Sequence, residues 1–138
     1  MQVHILLGSH TAHPFSNRLY NFNSTASQDP SLDPTYAEQL KQQCPRGSLD
    51  DSLDIPMDPP SPDTVDNSYY AGIIANRGLF TSDQTLLSSP VTANQVRVNE
   101  FNEKMWRRNF AQVMVKMSQV GVLTGTNGEI HQNCRVVN

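Results

Sequence analysis

Long apolar runs are missing from this 138-residue chain. None approaches the roughly 18 consecutive apolar residues of a membrane-spanning helix, so no membrane partner is expected. Positive charge is not in excess either: ten lysines and arginines against thirteen aspartates and glutamates leave a net charge of −3. A nucleic-acid surface needs a basic stripe, and that balance offers none. The first residues show no succession of basic, apolar and cleavage-site segments, so no signal peptide is expected within the chain. Cysteine is scarce, with only Cys44 and Cys134. An internal disulfide and two thiols with partners elsewhere both remain open. Hydrophobic residues reach 37%, below the usual share of a globular domain, which suggests a thin core or one completed by something else. Strand-like alternation is rare, and there are no internal repeats.

What is present reads as helices joined by long irregular connections, an all-α chain of one domain's length. The apolar lead-in "MQVHILL" ends at His10 and fits a short helix or a strand equally well. Residues 21–33, "NFNSTASQDPSLD", are polar and turn-rich, as a surface loop is. Asp33-Pro34 supplies an N-cap and a proline at the first helical position, opening a helix through Tyr36 and Leu40 that Pro45 closes. Residues 46–66 hold four prolines, too many for a helix or a central strand. "NSYYAGIIANRG" predicts a helix stopped by Gly78, and "TSDQTLLSS" a short one capped by Thr81 or Ser82. Thr92 to Gln95 matches a capping box at the start of another helix. Trp106, Phe110, Val113, Met114, Met117 and Val120 recur at spacings of three and four, one apolar stripe that ends at Gly121. Packed core is the plainer reading of that stripe, a cofactor wall the sharper one. In the tail, Asn127-Gly128 suggests a turn and a small hairpin.

Three groups of residues carry candidate chemistry. His10-Thr11 closes the apolar lead-in; a histidine on an apolar face is ordinarily a satisfied core residue, and His4 and His13 add nothing to that. Asp58, Ser61, Thr64 and Asp66 sit on a proline-fixed loop and offer the carboxylate and hydroxyl oxygens that hard cations take. A proline-rich acidic linker would look the same. Ser82-Asp83 reads as helix capping unless the carboxylate has a partner, in which case it can orient a histidine. Asn23-Ser24-Thr25 is a glycosylation sequon if the chain is secreted.

Taken in order, "LLGSHT", "RLYNF", "DPSLDPTYAEQLKQQCP", "DPPSPDTVDNSYY", "NRGLFTSDQTLL" and "GEIHQNCRVVN" resemble the C-terminal half of plant secretory (class III) haem peroxidases. The resemblance spans essentially the whole chain. It implies the proximal half of the all-α haem-peroxidase fold over residues 1–138, the N-terminal distal half being absent, and haem b and calcium as cofactors. By that resemblance His10 is the proximal iron ligand at the end of an apolar helix, with Leu7 where the family usually has serine. Asp83 is the hydrogen-bond partner of His10. Thr11, Asp58, Ser61, Thr64 and Asp66 are calcium ligands, and Cys44 and Cys134 stand where the family's disulfide partners are missing, so no bond between the two is expected.

The function implied is hydrogen-peroxide-dependent oxidation of phenolic donors, an oxidoreductase of peroxide removal and oxidative stress, extracellular or vacuolar. Two departures accompany it. The family's distal histidine and arginine have no counterpart here, so no catalytic residue is present and the chain alone is expected to be inactive. "HTAHPFSNRLYNF" is also shorter than the family pattern and lacks its cysteine. Such a half would leave a broad apolar face open and would be a monomer or depend on the other half. The alternatives are a non-enzymatic haem- or calcium-binding remnant and an all-α interaction module.

Overall fold

The computed structural model describes residues 9–11, 13–25, 27–47, 53–133 and 135–136, with residues 9–11 and 13 as backbone only. The apolar lead-in and Cys134 lie outside these described residues.

The fold is mostly helical, as the sequence predicts. The helices are α1 (Ser16–Tyr20), α2 (Pro34–Gln43), α3 (Ser68–Ile74), α4 (Thr81–Gln84), α5 (Pro90–Phe101) and α6 (Glu103–Met117). A short antiparallel pair, β1 (Ser9–Thr11) and β2 (Asp54–Pro56), departs from the all-helical expectation. His10 therefore lies in the middle of a strand rather than at a helix end, opposite Ile55 in register. Its extended backbone follows from having a partner strand to bond.

α2 begins as predicted: Asp33 Oδ1 accepts the Tyr36 amide at 2.8 Å, and Pro34 occupies the first turn. The cap of α4 is different from the prediction. Thr81 and Ser82 are exposed inside the first turn, and Asp83 reaches back to accept the Phe80 amide at 2.8 Å. α5 likewise starts at Pro90 after Ser89, with Thr92 already helical. α3 ends at Ile74, four residues short of Gly78; Asn76 takes the left-handed turn with φ 59° instead. In the tail, a 3-10 turn covers Gly125–Asn127, and the described residues there form no hairpin.

Two small cores result. The first gathers Phe15, Leu19, Leu32, Tyr36, Leu40, Cys44, Ile55 and Leu79 from α1, α2, β2 and the turn before α4. The second gathers Tyr69, Ile73, Val96 and Trp106 from α3, α5 and α6. Met57 packs against both and bridges them. Cys44 is a free, buried thiol whose acidity burial suppresses. The predicted surface loop 21–33 is less superficial than its composition implies, since Asp29 and Leu32 are buried.

Candidate metal and cofactor site

The segment after β2 turns back on itself before α3 begins. Successive turns bring the Ser61 amide to the Asp58 carbonyl at 3.2 Å and the Thr64 amide to the Ser61 carbonyl at 3.1 Å. This coiling places three of the predicted ligands around one hydroxyl, that of Ser68. Ser68 Oγ lies 2.6 Å from Asp66 Oδ1 and 2.6 Å from Ser61 Oγ, and it also bonds Asp58 Oδ2. Ser61 Oγ donates to the same Asp58 oxygen at 3.2 Å, and the Ser68 amide donates to Asp66 at 2.9 Å. Burial pushes the Asp66 carboxyl up, but the hydroxyl and amide bonds from Ser68 outweigh it and hold it below the usual carboxylate range.

Two carboxylates thus converge with two hydroxyls, and neither carboxylate has an ion-pair partner among the described residues. Among the described residues, no three or more histidine, cysteine or acidic side chains are grouped so that they could hold a metal ion. Carboxylates set among hydroxyl oxygens, with Arg107 acting on Asp66 only through its charge, are the donor chemistry of a hard cation such as calcium, and unlike that of zinc. Thr64 is exposed on the outer turn, and no described bond ties its side chain to the cluster. Thr11 is placed through its backbone, opposite Asp54 on the strand that leads into this segment.

Asp83 sits 1% exposed at the start of α4. Its Oδ1 accepts the Tyr69 hydroxyl at 2.8 Å, and its Oδ2 accepts the Phe80 amide. A carboxylate offers about four acceptor positions, so each oxygen retains capacity for one more donor. That fits a histidine orienter. Burial first, and then the Asp83 charge, push the Tyr69 phenol far above its ordinary range, keeping it a donor. Gly78 is required behind this carboxylate, because a Cβ there would approach the Asp83 Cβ to 2.9 Å and Ile73 Cδ1 to 3.0 Å.

The turn carrying Gly78 and Leu79 is pinned by Arg18, buried at 1% exposure. Its Nη1 donates to the Gly78 carbonyl at 2.5 Å and the Leu79 carbonyl at 3.1 Å, while Nε pairs with Asp29 Oδ2 at 2.7 Å. The structure thus adds Ser68, Tyr69, Gly78, Arg18 and Asp29 to the residues singled out from sequence. Ser68 alone had a local signal, an Asp-x-Ser turn at the mouth of a helix.

A protein-family model described as Peroxidase matches residues 2–102. Among curated proteins, Peroxidase 5 of Vitis vinifera is 55% identical over 96% of the chain and 42% of its own length. Peroxidase 15 of Ipomoea batatas is 41% identical over 94% of the chain and 42% of its length. Peroxidase 58 of Arabidopsis thaliana is 43% identical over 89% and 38% respectively. The chain therefore spans less than half the length of these relatives.

Proposed function

The chain belongs to the class III plant peroxidase family, and from that membership we propose that residues 1–138 are the proximal half of a haem peroxidase domain. The whole protein uses hydrogen peroxide to oxidise small phenolic donors, outside the cell or in the vacuole. Haem, when bound, supplies the redox-active iron for that chemistry. Within this chain His10 is the residue that would hold the iron. Asp83 would accept a hydrogen bond from the second imidazole N–H, fixing the ring and strengthening its donation. Asp58, Ser61 and Asp66, with Thr11 and Thr64, are the residues that would hold calcium.

The observation that supports this reading best is the register of the β-pair. His10 opposite Ile55 and Thr11 opposite Asp54 link the proposed iron ligand to the strand from which the oxygen cluster follows directly. A cation gathering that cluster would thereby also fix the backbone at His10.

The test is to refold the chain with haem and calcium and to record the Soret band. Wild type is expected to show a histidine-ligated band that His10→Ala loses. A band unchanged in His10→Ala would overturn the ligand assignment. For calcium, the expected outcome is a thermal midpoint raised by calcium in wild type and not in Asp66→Asn. A wild-type midpoint indifferent to calcium would overturn that site.

A further inference from the structure

Tyr69 and Asp83 come from different helices and meet in the interior, where they are 3% and 1% exposed. Tyr69 lies near the start of α3. Its ring belongs to the second core with Ile73, Val96 and Trp106, and Tyr70 packs edge-on to it with centroids 5.4 Å apart. Packing of that kind fixes where the phenol points. The hydroxyl donates to Asp83 Oδ1 at 2.8 Å, while the Phe80 amide donates to Oδ2 at the same distance.

This bond does more than tie α3 to α4. Burial, and then the Asp83 charge, push the phenol far above its ordinary range, so the hydroxyl stays protonated and donating. Asp83 forms no ion pair among the described residues, so neutral donors meet its charge. A hydrogen bond to a carboxylate stabilises the charged form and lowers its basicity. Asp83 is thereby held in one orientation and left a weaker acceptor for a third partner. In the proposed site that partner is the His10 N–H.

We propose that Tyr69 is a positioning residue of the haem site: it fixes the Asp83 carboxylate and moderates its pull on the His10 N–H, and so raises the reduction potential of the bound iron. The inference rests on the reading of His10 as iron ligand with Asp83 behind it. Its sign follows from charge. A more basic carboxylate draws the N–H proton further, makes the imidazole more anionic and favours ferric over ferrous iron. Tyr69 opposes that pull by sharing the same carboxylate.

The experiment uses the full 138-residue chain refolded with haem and calcium. It reads the ferric/ferrous midpoint potential and the iron–imidazole stretching frequency. Tyr69→Phe keeps the ring and removes the hydroxyl. Its redox equilibrium is expected to move about three- to tenfold toward ferric, a potential lower by about 30–60 mV for one electron. The stretching frequency should rise with it. Replacing Tyr69 by 3-fluorotyrosine keeps the bond and strengthens the donor, so both readings should move the opposite way. That variant loses no contact, and it reads the effect even where Tyr69→Phe fails to fold. In an Asp83→Asn background, Tyr69→Phe should shift neither reading, because the charge through which it acts is gone. A Tyr69→Phe chain that binds haem through His10 with both readings unchanged would overturn the proposal, leaving only a tie between two helices. An equal shift in the Asp83→Asn background would overturn it too, since Tyr69 would then act by packing alone. Failure of the ligand reading looks different: the wild-type Soret band survives His10→Ala, and the role of Tyr69 falls with it.

Discussion

Arg18 shows how much of the site depends on charges that sequence patterns do not reveal. It and Asp29 are both fully buried, an arrangement that holds only while each has its partner. Burial alone would push the Asp29 carboxyl up; the hydroxyl and amide of Ser31, and then Arg18, outweigh burial and hold it below its ordinary 3.8. A depressed carboxylate contributes stability that is complete above its unfolded value and disappears as pH falls through the folded one. Urea unfolding of wild type should therefore weaken steeply as pH drops below about 4. At pH 7, Asp29→Ala should lose about 3–5 kcal/mol by stranding Arg18 in the core. A variant gap that persists undiminished at the lowest pH would refute this account. Gly78→Ala should lose about 1–3 kcal/mol, since its methyl would crowd Asp83 and Ile73. None of these three had its observed role legible beforehand. Arg18 of α1 meets Asp29 of the following loop with no period to mark the pair, and Gly78 resembled an ordinary helix stop.

At the scale of elements, legibility followed the range of the forces involved. The start of α2 was readable because Asp33 and Pro34 act within one turn. The start of α4 was misread because two local hydroxyls competed as caps with Asp83, whose orientation is also fixed by Tyr69 from another helix. β1 and β2 were not separable from their surroundings, since three-residue strands exist only through each other. α6 was predicted as a helix from its stripe, but the stripe does not say what covers it. Trp106 is 3% exposed and stacks on Phe110, whereas Met117 and Val120 are exposed. The core reading therefore holds for the first half of α6 only. Trp106→Ala should cost about 3–5 kcal/mol, while Val120→Ser should stay within about 0.5 kcal/mol. Denaturant midpoints of the two variants, compared at one pH, check both.

The whole molecule carries the consequence of those uncovered faces. Val91, Phe101, Val115, Val120, Leu123 and Ile130 are all exposed, along α5, α6 and the tail. Among the described residues the cores are two and small, joined through Met57. In the relatives, the aligned region is about 42% of the protein. Asp58, Ser61 and Asp66 could be grouped from sequence because they lie within one loop, whereas Ser68 at the centre of their hydrogen bonds emerged only once that loop was folded onto α3. Chemistry divides the same way. The roles proposed for His10, Asp83 and the calcium residues are to hold and tune an iron, and moving a proton between peroxide oxygens is a separate task for general acid–base groups. Such general acid–base groups contribute about 10²–10⁴-fold in rate. These 138 residues, refolded with haem and calcium, are therefore expected to bind haem weakly and to oxidise guaiacol at least about 10²-fold more slowly than a full-length class III peroxidase. The measurement is initial rate per mole of haem bound, at matched peroxide. Turnover equal to that of the full-length enzyme would mean that proton transfer is handled by residues within this chain, and the proximal-half reading would fail with it.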